Sequence, residues 1–474
     1  MNTDGRSRAP LQWLEWVLAF AILVCGLICV KLTLEKLYFP QPFFFDTDNT
    51  FADWFSTAIW SHQEGAYDTW LTVYPPLTFV LLKVLGLPAC YEYGDLNSVR
   101  DCDWLGIVAI HLSYIATFVI ASVALIKVDR KTAAPRAFAL AAGMPALFGL
   151  ERGNVIFFCF ICVMLGWGPL LRSTRLRWLF VGMAVNFKVY LIAAVLVQLV
   201  RRRWLWVEGA LLGVVFVYLI SFILLGEGTP VEIIANLVNF ADGFYSIQSD
   251  ILSFWYANTY NPLHSVLTES SAPVSSLIGD DLVNLGAMIT IVSMRTGQAM
   301  TLLALFAAWI RPEAASPQRL TLLALSFVLI TQETSAYTQP IVFFFVFLER
   351  WKGWFVPSAI ALTYLVSLPG DYIMGSGGLL YMQSSYIAGQ TVMVERGFAI
   401  GMFLRPLLLI LIAVLFSLDT MALVWRDVRR DGWQDRWRFR KDAPILPRVR
   451  RPRSIIPTSS LSTTSSLRAK PNSW

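Results

Sequence analysis

The chain has 474 residues, 56% of them hydrophobic and only 15% charged. A soluble protein of that length needs far more polar surface, so the composition excludes a water-soluble enzyme and predicts a polytopic helical membrane protein. The net charge of +6 does not point to nucleic acid, because the basic residues fall in short loops between apolar runs and in the tail, as the positive-inside rule expects.

In chain order, Leu11 to Val30 is long enough to span. Pro10, Glu15 and the lack of a small-residue cleavage site favour a retained signal-anchor over a removable signal peptide. Arg6 and Arg8 place the N-terminus in the cytoplasm, so residues 32–103 begin outside, and they carry many acids against few bases. The run 72–87 is short and reads as a re-entrant or shallow element, since a full span there would carry Lys127 to Arg136 to the outer side. Trp104 to Ile126 returns to the basic loop Lys127 to Lys131. Two short runs follow, 137–150 and 155–171, joined by Glu151-Arg152-Gly153-Asn154 and closed by Arg172, Arg175 and Arg177.

Between Arg177 and Arg201 there are too few residues for two full spans. A hairpin of half-length helices keeps both basic clusters inside and lifts Lys188 toward the outer face; irregular backbone at that depth must be satisfied by protein or a wet cavity. Residues 205–225 lead out to a long loop, 226–281, and the chain returns through 296–310 to Arg311. A hairpin over 320–349 has Gln332 to Tyr337 at its outer tip; 353–368 goes out and 398–424 comes back. Both termini are then cytoplasmic. The expected architecture is one all-α membrane domain over 1–425, with about 11–13 spanning or re-entrant helices. A basic, Pro- and Ser/Thr-rich tail over 426–474 is expected to be disordered near anionic headgroups.

Cys25, Cys29, Cys159 and Cys162 sit in apolar helices and read as packing residues. Cys90 and Cys102 fall in the outer segment, where a disulfide can form.

Asp46, Asp48 and Asp53 stand just beyond the first apolar run, among Phe43, Phe44, Phe45, Phe51, Trp54 and Phe55. Such a carboxylate can act as a general base on a hydroxyl; the alternative is a solvated acidic loop. Asp46 and Asp48 could also hold a divalent cation with phosphate ligands, although two carboxylates are a weak metal signal. Arg152 could simply pair with Glu151, and Lys188 could snorkel to the interface. Yet an ammonium between apolar runs is costly without a partner, and a lipid phosphate would supply one. Gly153-Asn154 suits a tight apex where backbone amides approach an anion. Arg405, before Pro406, and Arg295 raise the same question, and each could equally pair with an acid. His264, in the long outer loop, is as readily solvated as catalytic; His62 and His111 read as packing or interfacial residues. There is no Ser/His/Asp order, Walker loop or zinc spacing.

The aspartates, then Tyr67, Tyr74-Pro75-Pro76-Leu77, Arg152-Gly153-Asn154 and Asn186-Phe187-Lys188-Val189-Tyr190 resemble the GT-C glycosyltransferases of family 87, which include polyprenyl-phosphate-mannose-dependent mannosyltransferases. Some pieces are also similar to the enzyme adding the first mannose of the GPI anchor. The likeness runs in order over roughly residues 40–340, with Ser335 to Pro340 echoing a late Tyr/Pro motif. The family usually has Pro after the Lys-x-Tyr, where Leu191 stands here. The resemblance implies inverting transfer of one sugar, commonly mannose, from a polyprenyl-phosphate donor to a hydroxyl of a lipid-linked or cell-envelope glycan. It implies the extracytoplasmic face of the inner (plasma) membrane and no metal or other cofactor. On this reading Asp48 is the base, with Asp46 and Asp53 as second choices and His264 a further catalytic candidate. Arg152, Lys188, Asn154 and Arg405 receive the donor phosphate, and Tyr67, Tyr74, Tyr190 and Tyr337 contact substrate. A lipid-linked glycan flippase or transporter, or an O-antigen polymerase or ligase, are the alternatives.

Overall fold

Long apolar runs fold into long helices, and the computed structural model shows this, describing residues 9–44, 47–92, 94–241, 278–331, 335–383 and 391–432. Asp46, His264 and the tail beyond 432 lie outside the described residues. Six stretches are long and apolar enough to cross a membrane. Four are single helices that flank or traverse the bundle: α1 (Ala9–Lys36), α5 (Trp104–Val128), α11 (Trp204–Leu225) and α13 (Asp280–Ile310). The fifth joins α6 (Ala133–Ala142) to α7 (Met144–Arg152) through Gly143, and the last is α17 (Ile400–Asp431).

Shorter helices fill the space between them. They are α8 (Ile156–Trp167), α9 (Thr174–Phe187), α10 (Ile192–Leu196), α14 (Pro317–Thr331), α15 (Gln339–Phe347) and α16 (Phe355–Val366). The core gathers Phe118, Phe157, Phe160, Phe344 and Tyr364 from these elements. Phe160 meets Phe344 edge-on with ring centroids 5.8 Å apart, a geometry aromatic quadrupoles prefer. In lipid the hydrophobic effect does not distinguish helix from tail, so close backbone approach must hold helices together. Gly182 of α9 supplies it: a methyl group there would lie 2.4 Å from the Gly213 carbonyl oxygen of α11. Asn186 reinforces the contact, its amide donating to the carbonyls of Gly182 (2.9 Å) and Val214 (3.0 Å).

The two ends of the bundle differ in chemistry, and α5 separates them by about 37 Å at 1.5 Å per residue. At one end the basic loops collect. Lys127 Nζ donates to the Pro169 carbonyl at 2.9 Å, and Arg177 Nε to that of Leu171 at 2.9 Å. Two buried ion-pair groups lock the same end: Arg136 with Glu15 at 2.8 Å, and Arg319 with both Glu349 (2.7 Å) and Asp419 (2.8 Å). Breaking one partner of such a pair costs about 3–5 kcal/mol, because the other charge stays buried.

At the opposite end lie α2 (Ala52–His62), α3 (Pro76–Val84) and α4 (Leu96–Cys102). α3 is nine residues long, too short to cross a bilayer by itself. Cys90 and Cys102 are joined by a disulfide. Asp103 caps α5 through the Gly106 amide (3.1 Å) and accepts from the Tyr91 hydroxyl (2.6 Å).

Four boundaries differ from the sequence reading. Part of the outer loop is helical, α12 (Pro230–Ala241), because Val231, Ile234 and Val238 recur at helical spacing. The return helix α13 starts at Asp280 rather than 296, its polar interruption at Arg295 being met by Gln298 one turn on (3.1 Å). An antiparallel ribbon, β1 (Ile373–Gln383) with β2 (Thr391–Ala399), connects α16 to α17, and the remaining regular elements among the described residues are helical. Finally, α17 continues past 425 to Asp431.

Candidate active site

Three helical hairpins turn at the end opposite the basic loops, and their tips meet. The first joins α7 to α8. Gly153 takes a left-handed conformation (φ 63°) that ends α7, and a methyl group there would come within 3.0 Å of Phe51 and Ile110. Only glycine fits both the angle and the space. The second hairpin breaks at Lys188, whose extended backbone (φ −141°, ψ 102°) ends α9 before a 3-10 turn, Val189–Leu191, leads into α10. The third carries the 3-10 turn Ala336–Thr338 between α14 and α15.

The tips are joined by charge and by stacked rings. Arg152 reaches back to the segment after α1: its Nε and Nη2 donate to Asp53 Oδ1 (3.0 and 2.5 Å), and its Nη1 to Asn49 Oδ1 (2.6 Å). Asn154 donates to the other Asp53 oxygen at 2.7 Å, while its own Oδ1 accepts from the Ile156 amide. The Arg-Gly-Asn motif is therefore a clamp on Asp53. The Arg152 guanidinium also lies over Phe44, 4.7 Å from the ring centre. Phe44 stacks on Phe148 (5.8 Å), and Phe148 on Tyr337 (6.2 Å). Lys188 completes the row, its ammonium 5.6 Å from the Tyr337 ring centre, 4.4 Å from that of Tyr74 and 3.3 Å from the Tyr74 hydroxyl. Cation–π contact stabilises an ammonium without cancelling its charge. Among the described residues, no carboxylate forms an ion pair with Lys188.

Several sequence expectations are refined. Glu151 is not the partner of Arg152: its Oε1 accepts from the Phe44 amide at 2.6 Å, and Asp53 takes the guanidinium. Asp48 sits exposed on the 3-10 turn Thr47–Asn49, with one oxygen accepting from Asn97 at 3.0 Å. Arg100 pins that turn through the Thr47 carbonyl at 2.6 Å. Tyr67 is buried and supports the site from behind, its hydroxyl donating to the Tyr74 carbonyl at 2.9 Å; burial raises its pKa, so it stays a donor. The Tyr190 hydroxyl, near Tyr74, is buried and has no hydrogen-bond partner among the described residues. Arg405 is taken up by Asp371 at 2.9 Å and by the Gly370 carbonyl, which makes it a structural cation at the foot of the ribbon. Arg295 is exposed on α13.

Sequence reasoning missed Asn49, Phe44 and Phe148. Phe44 and Asn49 flank the acidic residues and had a signal in their position; Phe148 had none, since it looks like any apolar helix residue. Comparison with family models, with curated proteins and with solved structures finds no match for this chain.

Proposed function

We propose that this protein is a membrane glycosyltransferase that moves one sugar from a polyprenyl-phosphate donor to a hydroxyl of a lipid-linked or cell-envelope glycan. The observation that carries the reading is Lys188: a half-buried ammonium at a helix break, held against Tyr74 and Tyr337 with no carboxylate partner among the described residues, beside an Arg–Asp clamp and an exposed aspartate. The sugar donor's phosphate is the natural counter-ion. As the glycosidic bond to phosphate breaks, negative charge builds on the leaving polyprenyl phosphate, and a preplaced cation stabilises it most at that moment.

The two described aspartates divide the work. Both oxygens of Asp53 are engaged by Arg152 and Asn154, so this carboxylate positions the loop that carries Asp48. Among the described residues Asp48 has a hydrogen bond on one oxygen only, and the other is the one we assign to accept the proton of the acceptor hydroxyl. Attack from the face opposite the phosphate inverts the sugar carbon. Mannose is the sugar the sequence resemblance favours. The face with the aspartates is the extracytoplasmic one, since the arginine-rich loops collect at the other end; a disulfide on the aspartate side fits an oxidising compartment. On this reading both termini are cytoplasmic and the membrane is the plasma membrane.

The test is incubation of purified protein in lipid with radiolabelled polyprenyl-phosphate sugars and an acceptor extract. A labelled product one sugar larger supports the reading. Movement of the donor across vesicles without cleavage would make the protein a flippase, and joining of whole glycans would make it a polymerase or ligase.

A further inference from the structure

Asp48 stands on a turn that is held from outside itself. The 3-10 turn Thr47–Asn49 closes with the Thr50 amide donating to the Thr47 carbonyl at 3.1 Å. So short a 3-10 turn fixes little alone. Two side chains of α4, distant in the chain, supply the rest. Arg100 Nη1 donates to the Thr47 carbonyl at 2.6 Å and to that of Thr50 at 3.4 Å, gripping the turn at both ends. Asn97 Nδ2 donates to Asp48 Oδ1 at 3.0 Å.

α4 itself is firmly anchored. Cys102 is bonded to Cys90, Val99 is fully buried, and the Asp103 amide donates to the Val99 carbonyl at 2.8 Å. Asp95 caps the first turn, accepting from the Ser98 amide at 3.0 Å and the Ser98 hydroxyl at 2.8 Å. A helix of seven residues is marginal by itself, so these fixings make α4 a rigid arm.

Packing alone does not account for what the arm holds. Water satisfies an exposed carboxylate, so the Asn97 bond adds little net stability. It also has a cost. An ionised carboxylate only accepts, which turns the amide nitrogen of Asn97 toward Asp48. The Asn97 Oδ1 is then buried with no hydrogen-bond partner among the described residues. A second cost falls at Phe51, whose left-handed backbone (φ 57°, ψ 17°) is rare for a bulky residue. Its amide donates to the Glu151 carbonyl at 2.7 Å, which keeps it there. An unsatisfied acceptor and a strained residue beside one carboxylate persist where orientation matters more than stability.

We propose that Asn97 and Arg100 are positioning residues for the transfer reaction, aiming the Asp48 carboxylate at the acceptor hydroxyl without touching either substrate. The inference rests on the assignment of Asp48 as the base. A base must lie within hydrogen-bond reach of the proton it takes, and a misplacement of about 1 Å can cost about 10²-fold in rate. With Oδ1 held by Asn97 and the backbone held by Arg100, the carboxylate has one orientation and one oxygen for that proton. The donor phosphate is assigned to Lys188, so donor affinity does not depend on α4.

The experiment measures sugar transfer by the full chain in lipid, with radiolabelled polyprenyl-phosphate mannose, glucose or galactose as donor and an acceptor extract, beside a thermal melt of each variant. Asn97→Leu keeps the volume and removes both the bond to Asp48 and the orphaned oxygen. It should melt at or above the wild-type temperature. Its kcat should fall about tenfold or more at unchanged donor KM. Arg100→Gln should lower kcat in the same way. Because that change can also loosen the fold, Arg100→Lys is the companion variant. One nitrogen makes both bonds to the turn, so a single ammonium should restore much of the rate. Amide hydrogen exchange gives a readout free of catalysis: residues 47–51 should exchange faster in Arg100→Gln, with α5 as protected as in the wild type. Wild-type kcat in Asn97→Leu and Arg100→Gln, or a loss of kcat in Asn97→Leu that tracks a lower melt, would overturn the proposal. No transfer by the wild type from any of these donors is a different result: it removes the glycosyltransferase reading, and this inference with it.

Discussion

Lys188 and Asp53 are both charged groups at hairpin tips, yet they answer substitution differently. Lys188 has aromatic neighbours and, among the described residues, no ion-pair partner, so Lys188→Met keeps most of the volume and should leave the melting temperature close to wild type while abolishing donor binding and turnover. Normal turnover in that variant removes the phosphate site from the mechanism; an unfolded protein makes Lys188 a structural cation. Asp53→Asn leaves the Arg152 guanidinium, only 11% exposed, without its counter-charge. It should cost roughly 3–5 kcal/mol of stability, with loss of activity following from the misplaced loop. Asp48→Asn touches an exposed side chain, so its stability change should stay within about 0.5 kcal/mol. Its rate should still fall on the order of 10²-fold or more, as for a lost general base. The pairing of a stable but inactive Asp48→Asn with a destabilised Asp53→Asn is the measurable signature of their separate roles. Equal stability losses in melts of the two would sink it.

At the scale of elements, the site depends on where helices stop. Gly153→Ala adds a methyl group against Phe51 and Ile110 in a left-handed turn. A cost of about 1–2 kcal/mol from the backbone alone is expected, with a larger fall in donor affinity, because Arg152 and Asn154 both hang from that turn. A melt and a donor-binding isotherm on the same variant check this; donor affinity unchanged despite a lower melt would separate the turn from the site. The Cys90–Cys102 bridge closes a segment between α3 and α5, at a sequence separation of 12 residues. Cys90→Ser with Cys102→Ser should lose roughly 2–4 kcal/mol, and wild-type protein should show the same drop on reduction. A melt insensitive to reductant would show that the bridge does not form in the membrane-embedded protein.

For the molecule as a whole, the polarity of the bundle can be tested directly. Thr69 is exposed at the aspartate end and Ser173 at the arginine end. An impermeant thiol reagent applied to intact cells should modify Thr69→Cys and spare Ser173→Cys, until the membrane is opened. The reverse pattern would put the Lys188 cluster in the cytoplasm and end the case for a lipid-phosphate sugar donor used outside.

The sequence by itself determined the class of molecule, the sidedness of its charges and the turning points of its hairpins. Composition and loop charge act locally: a span needs a run of apolar residues, and an arginine cluster stays on one side wherever the rest of the chain goes. For the same reason Lys188, Arg152 and Tyr337 could be placed at hairpin tips, and residues 72–87 read as too short to span. Partner choice belonged to the tertiary structure. Arg152 stands beside Glu151 in the chain but bonds Asp53, 99 residues away. Lys188 finds Tyr74 across 114 residues. Arg405, which looked like Lys188 in sequence, finds Asp371 and leaves the site. Helical hairpins bring their tips together through side-to-side packing such as Gly182 on Gly213, and that packing depends on surfaces from distant segments. A linear pattern records where a charge leaves the bilayer, whereas its counter-ion is set by which helices can approach closely enough to share it.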